Sequence, residues 1–385
     1  MTTRRSFLAA AAAAIALPAH AADPFRIGLV LPMTGQSQST GKQIDAAVKL
    51  YMQQQGDTVA GHKIEVILRD DGGVADTTKR LAQELIVRDK VGALMGFGLT
   101  PLALAAAPLA TQAKIPMLVV AAATSIIPER SPFIVRPAQV LPQTAVAMAQ
   151  WAGGNGVKTA VTLVTDYAPG IDAETWFAKR LKEGGGEVLA SLRVPLANPD
   201  FAPFLQRAAD AKPQAMFAFV PSGQGAALAR QFAERGLDKS GIRFIATGDV
   251  TDDDQLNGMG DVMLGVVTAG HYSASHPSDT NRKFVAAFKA ANPGMRPNFM
   301  AVSGYDGTHL IYEALKKTGG STDGTAMVEA MKGMQWESPR GPILIDPATR
   351  DVVHNIYIRK VERVDGELYN TEFATIPMMK DPAKP

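Results

Sequence analysis

The sequence predicts an α/β protein of two open, doubly wound parallel-sheet lobes joined by a multi-crossing hinge, with a ligand cleft between them. Three observations carry this expectation. From Phe25 onward, buried-strand runs alternate with amphipathic helical stretches, as a parallel sheet covered by helices requires. The alternation restarts after "WAGGNG" (151–156). After about Gly270, three helical stretches follow one another with no strands between them. Helices without a sheet must lie on an earlier one, so the chain is expected to cross back and return. The expected lobes are 22–138 with about 273–337, and 139–272 with about 338–385. Several crossings make a hinge, and a cleft between lobes follows.

In the first lobe, "FRIGLVL" reads as a buried strand, "GKQIDAAVKLYMQQQG" as a helix and "HKIEVILRDD" as a strand. "DTTKRLAQELIVRD" is an amphipathic helix with Asp76 as its expected cap. "GALMGFG", "TPLALAAAPLATQA" and "IPMLVVAAAT" continue as strand, helix, strand. In the second lobe a helix from near Gln139 closes at "WAGGNG". Strands "KTAVTLVTDY", "GEVLASLRVPL", "AMFAFV" and "IRFIATGD" then alternate with helices. The late helices are "TNRKFVAAFKAAN", "NFMAVSGYDGTHLIYEALKKTGG" and "GTAMVEAMKGM". The tail reads as an extended "GPILIDPATRD" and a hairpin in "HNIYIRKVERVDGELYN".

The start of the chain stands apart. "MTTRRSFLAAAAAAIALPAHAADP" has Arg4 and Arg5, an apolar run and a small-residue end at Ala19-His20-Ala21. That is the pattern of a cleavable export signal over residues 1–21, and "TRRSFL" also fits a twin-arginine signal. Removing it leaves 37 basic and 37 acidic residues, a balance that offers nothing to nucleic acid or an anionic membrane. Cysteine is absent, so neither disulfides nor a lipid-anchored junction cysteine is expected. The expectation is a soluble, monomeric protein of a bacterial periplasm.

Catalytic signatures are missing. Histidines stand at 20, 62, 271, 276, 309 and 354, and no pair has the i, i+4 spacing of a helical metal site. There is no GxSxG elbow and no P-loop, and the turn after the first strand has only Gly35 and Gly41. "RDDGG" and "DVTDDDQL" lack the full spacing of a calcium loop; Asp70 and Asp71 are expected in a turn, and Asp252 to Asp254 as caps of the next helix. No metal, no cofactor and no catalysed reaction are expected.

In open α/β sheets, ligands lie beyond the carboxyl ends of the strands. The loops there are "PMTGQSQSTG", "GFGLTP", "AAATS", "TDYAPG", "VPSGQG" and "TGDVTDD", rich in small and hydroxyl residues and poor in basic ones. "GFGLTP" begins like a dinucleotide turn, but Pro101 stands where the third glycine belongs. Thr100 fits an N-cap with Pro101 at the first helical position, and the free N–H groups of that turn favour an anion. "AAATS" offers a further N–H and the Thr124 hydroxyl. Together these make a carboxylate cradle without arginine; the alternative is that Thr100 only caps its own helix. Further contact candidates from the loops are Ser39, Thr40, Gly98, Ala123, Ser222 and Gly248.

The mature chain resembles the type I periplasmic binding proteins, in the leucine/isoleucine/valine-binding branch of ABC importers. The resemblance rests on "IGLVLPMTGQSQSTGKQIDAAVKLY", "VILRDDGGVADTTKRLAQELI", "IPMLVVAAAT", "VTDYAPGID", "LARQFAERGL" and "SPRGPILIDPATRDVVHNIYIRKV" in this order. It implies a periplasmic receptor that hands its ligand to a membrane permease. It also implies that the Thr100 hydroxyl, the Ala122 N–H and the Thr124 hydroxyl hold a ligand carboxylate. The chain departs from amino-acid binders where they hold the ammonium. Gly248 falls at the acidic position with Asp249 beside it, Pro221 replaces a tyrosine, and Pro169 an aromatic. An ammonium buried without a carboxylate is costly, so an amino acid fits only if Asp249 turns into the cleft. The run "GDVTDDDQL" to "SPRGPILIDPATRD" resembles relatives that bind aromatic carboxylates. Phe97, Tyr167, Pro221 and Met300 are the expected apolar walls. The expectation is a receptor for a benzoate- or phenylpropanoid-type carboxylate; a branched-chain amino-acid receptor and a periplasmic sensor are the alternatives.

Overall fold

A computed structural model describes residues 22–384; the expected export signal lies outside them. The first sheet grows from β1 (Ala22–Leu31). Its side chains alternate between faces, and both faces are covered. Leu29 and Leu31 share a core with Ile44 of helix α1 (Gln38–Gln55), while Val30 points to the opposite layer. After α1 come β2 (Thr58–Val59), β3 (His62–Asp70), α2 (Ala75–Val87), β4 (Ala93–Gly96), α3 (Thr100–Ala113), β5 (Met117–Val119) and β6 (Ile134–Val135). The strand order is β2-β3-β1-β4-β5-β6, parallel except for the short β2–β3 hairpin. The order reverses around β1, so the loops after β1 and β4 part there and open a crevice.

The second sheet follows: α4 (Leu141–Gly154), β7 (Thr159–Thr165), α5 (Ala168–Glu183), β8 (Glu187–Val194), α6 (Ala202–Asp210), β9 (Ala215–Phe219), α7 (Gly225–Glu234), β10 (Arg243–Thr247), α8 (Leu256–Met259) and β11 (Val267–Gly270). The chain then returns to the first sheet with α9 (Asp279–Ala291), α10 (Phe299–Lys317) and α11 (Gly324–Met331). Phe284, Phe288, Leu310 and Met327 of these helices share the core of Leu29 and Ile44. A third crossing leads to β12 (Gln335–Ser338), β13 (Gly341–Ile345), β14 (Val352–Val364) and β15 (Glu367–Met379). The second sheet runs β12-β13-β14-β11-β10-β9-β7-β8, with β15 also on β14.

This sheet is mixed where the repeating pattern predicts a parallel one. β7 to β11 are parallel, but β12 to β15 join through short turns, which permit only antiparallel pairing. "GPILIDPATRD" accordingly supplies a strand, and the hairpin is β14–β15. Two acidic caps are also corrected. Val74, not Asp76, occupies the N-cap of α2, leaving Asp76 in the first turn to complement the helix dipole. Gln255 precedes α8, and Asp252 uses its carboxylate elsewhere. The expected turn at Asp70 and Asp71 is present: Asp70 accepts from the N–H groups of Met33 and Gly72, and Asp71 from that of Gly73.

The crossings are tied by buried ion pairs. Arg340, between β12 and β13, meets Asp306 of α10 at 2.8 Å, with neither side chain exposed. Arg136, between β6 and α4, meets Asp351 at 2.6 Å. Lys384 also bonds Asp351. A buried pair that loses one partner leaves an uncompensated charge, so breaking either pair would be strongly destabilising.

Candidate functional site

The carboxyl ends of both sheets face a narrow cleft. Thr40, Gly98, Thr100, Ala122, Ala123, Tyr167, Pro221, Ser222, Asp249 and Met300 all line it. Ser39, Phe97, Thr124 and Gly248 do not.

The wall from the first sheet is uncharged. Helix α3 begins at Thr100, but Leu99 is its N-cap, in extended conformation and without a side-chain bond. Thr100 therefore does not cap its helix. Its hydroxyl is left for the cleft side and meets the Thr124 hydroxyl at 3.0 Å. Thr124 sits behind Thr100, outside the cleft lining, and its carbonyl accepts from Arg136. The expected use of the Ala122 N–H is corrected: it donates to the Phe97 carbonyl at 3.1 Å. Among the described residues, the N–H groups of Thr100 and Ala123 meet no protein acceptor. Both residues line the same cleft, and Thr100 lies at a helix start, where partial positive charge gathers.

The glycines of "GFGLTP" serve the protein rather than a ligand. Gly96 has φ +124°, and a Cβ there would overlap the Val30 carbonyl oxygen. A Cβ on Gly98 would lie 2.7 Å from the Pro32 ring. These contacts bring the two parted loops together at the switch point. Phe97, between them, has a positive φ and turns its ring fully into the core, so it is no wall of the cleft.

The wall from the second sheet carries a carboxylate. Asp249 does turn into the cleft. Its carboxylate accepts from Gln139 Nε2 at 3.1 Å and from Thr247 Oγ1 at 3.1 Å. Burial pushes its pKa up to about 6, against the pull of these donors and of Arg359. Gly248 instead makes room for an arginine. A Cβ there would come within 2.5 Å of the Arg359 guanidinium, so the acidic position is occupied by Arg359's path and the carboxylate moves one residue on. Tyr167 stacks on Phe219 with centroids 6.1 Å apart and planes 16° from parallel, and burial and Asp249 both push its phenol pKa up. Ser222 donates to Asp252.

Sequence reading missed Gln139, Leu141, Phe219 and Leu99 as lining residues. Gln139 had a signal, a lone amide in the apolar crossing "PAQVL". Phe219 had none, because every residue of β9 is buried.

Residues 24–367 match the family described as periplasmic binding protein. A curated relative, Leu/Ile/Val-binding protein homolog 6 of Brucella abortus, is 41% identical over 372 residues, spanning 96% of this chain and 95% of its own. A solute-binding protein of an ABC transporter from Rhodopseudomonas palustris BisB5, solved with 3,4-dihydroxybenzoic acid, is 65% identical; the match covers 94% of this chain and 99% of that one, with a TM-score of 0.92. A second R. palustris solute-binding protein, solved with 4-hydroxybenzoate, is 37% identical over 94% of this chain and 99% of that one, with a TM-score of 0.91. The chain belongs to the periplasmic binding protein family.

Proposed function

We propose that this protein is the periplasmic receptor of an ABC importer and binds a hydroxybenzoate-type carboxylate between its lobes, with no reaction catalysed. The lobes comprise 22–138 with about 273–337 and 139–272 with about 338–385. The receptor works as a monomer, is exported by the signal at residues 1–21, and in its closed form is read by a membrane permease. The observation that carries the ligand class is the opposite chemistry of the two walls. Thr100 and the free N–H groups of Thr100 and Ala123 take the carboxylate. Asp249 lies on the other wall and accepts a proton-bearing group, which a ring hydroxyl supplies. Tyr167, Phe219, Pro221 and Met300 flank the ring between them. The solved relatives with dihydroxy- and hydroxybenzoate support this reading.

One observation favours a second reading. Asp249 in the cleft is the partner that an amino-acid ammonium needs, so a branched-chain amino acid is the runner-up. Against it, the aromatic rings of Tyr167 and Phe219 flank the space beside Asp249. Titration calorimetry of the purified receptor with 3,4-dihydroxybenzoate, benzoate and leucine separates them. The proposal expects the dihydroxy acid to bind most tightly and leucine not at all. Leucine binding with no response to either benzoate overturns it.

A further inference from the structure

Asn298 is the N-cap of α10, and its two amide ends face different lobes. Its Oδ1 accepts from the N–H groups of Met300 at 3.0 Å and Ala301 at 3.1 Å, which fixes it to the first lobe's helix. Gln43 of α1 holds its backbone N–H at 3.2 Å and the Arg296 carbonyl at 2.9 Å. With the oxygen committed to N–H donors, the amide nitrogen must point the other way. It meets both oxygens of Asp252, on the second lobe's loop after β10, at 2.9 Å each. Asp252 is fully buried and also accepts from Ser222 Oγ and, at 3.0 Å, from the Asp254 N–H. Beside this, Ser39 of α1 donates to Asp254 at 3.0 Å. Gly223 comes so close to the other lobe that a Cβ there would lie 3.2 Å from the Gln36 carbonyl oxygen.

We propose that the Asn298–Asp252 pair is a latch that holds the lobes closed without touching the ligand, with the Ser39–Asp254 bond as its outer catch. Neither Asn298 nor Asp252 lines the cleft, whereas their neighbours Met300 and Ser222 do. A ligand that presses on Met300 and Ser222 therefore sets the two halves of the latch in register. The pair can form only when the lobes meet, so it lowers the rate of opening and leaves the rate of encounter alone. Asn298 and Asp252 are positioning residues: they set how long a ligand stays, not which ligand enters.

The inference goes beyond the ligand assignment but its kinetic test rests on it. Asn298→Ser keeps a good helix cap and removes the reach to Asp252. By stopped flow with 3,4-dihydroxybenzoate, the dissociation rate is expected to rise roughly tenfold or more, the value of a hydrogen bond to a charged group, with the association rate within about twofold. The melting midpoint of the unliganded protein should stay near that of the parent. Asn298→Asp also keeps the cap but sets a second carboxylate against Asp252, and should release faster still. The double change Asn298→Asp with Asp252→Asn exchanges donor and acceptor, and should restore slow release. Unchanged dissociation in Asn298→Ser, or no rescue in the double variant, overturns the latch. If the parent protein does not bind 3,4-dihydroxybenzoate, the ligand assignment fails. The latch is then read by the same stopped-flow comparison with leucine, the runner-up ligand. Asn298→Ser should release leucine roughly tenfold faster or more, and unchanged release overturns the proposal.

Discussion

The two walls of the cleft answer the same problem, holding a small polar molecule away from water, with opposite means. The wall of the first sheet has hydroxyls, small side chains and the free N–H groups of Thr100, at the start of α3, and of Ala123, and among the described lining residues no charged side chain. The wall of the second sheet has Asp249 in the cleft and Asp252 just behind it, both buried. Backbone N–H groups at a helix start carry partial positive charge and are fixed in place, so they suit a full negative charge. A buried carboxylate is costly alone, and is tolerated where donors converge on it, as Gln139 and Thr247 do on Asp249. The difference gives the ligand a direction. In the proposed complex its anionic end belongs to the first lobe and its hydrogen-donating end to the second, so both ends would be satisfied only when the lobes close.

The largest expected effect comes from breaking the second wall. Asp249→Ala should weaken 3,4-dihydroxybenzoate by roughly tenfold to a hundredfold, the range for a lost hydrogen bond to a charged group. Benzoate, with no ring hydroxyl, should change by less than about threefold. Calorimetry with both ligands reads the contrast, and an equal loss for the two would place the hydroxyl elsewhere.

Breaking the first wall should do the reverse. Thr100→Val keeps the side-chain shape and removes the hydroxyl. Both ligands should weaken alike, by about tenfold, because both carry the carboxylate. A loss confined to the hydroxylated ligand would mean that the molecule lies the other way round.

These two residues also mark how far the sequence could be read. The lobes and the crossings were legible because alternation of strand and helix, and its loss after Gly270, are properties of the chain itself. Thr100 was legible as a residue of a helix start, yet its role depended on Leu99 taking the cap, which only backbone conformation decides. The Ala122 N–H was misassigned because its partner, the Phe97 carbonyl, is set by a positive φ that a phenylalanine does not announce. Gly248 looks like a missing carboxylate; it is the space filled by the guanidinium of Arg359, 111 positions later in the chain. The acidic run after β10 has the local pattern of helix caps, and nothing local says that Asp252 finds its partner in Asn298, 46 positions away. What the sequence hides is contact between segments far apart, and the second wall is made of such contacts.

The smallest effect, and the one that tests whether closure itself carries the asymmetry, is on pH. In the closed form, burial pushes the Asp252 pKa up to about 7 from an ordinary 3.8, with Asp254 adding to the rise while Ser222, Asn298 and the Asp254 N–H oppose it. Arg359 also faces the group. Opening returns the carboxyl to water and towards its ordinary value. The closed form then binds a proton more tightly than the open one, so protonation favours closure. That contribution is complete well below the ordinary value and is lost as pH rises through about 7. Affinity for benzoate, which stays ionised throughout, should therefore fall several-fold, at most about tenfold, between pH 6 and pH 8. Asp249 titrates lower, near 6, so its share of the slope should appear at the acidic end of the window. Asp252→Asn cannot titrate at this position and should flatten the upper part of the profile. A parent protein whose benzoate affinity is level across the window, or rises with pH, would show that Asp252 keeps its solvation on closing, and that the second wall is wetter than its hydrogen bonds imply.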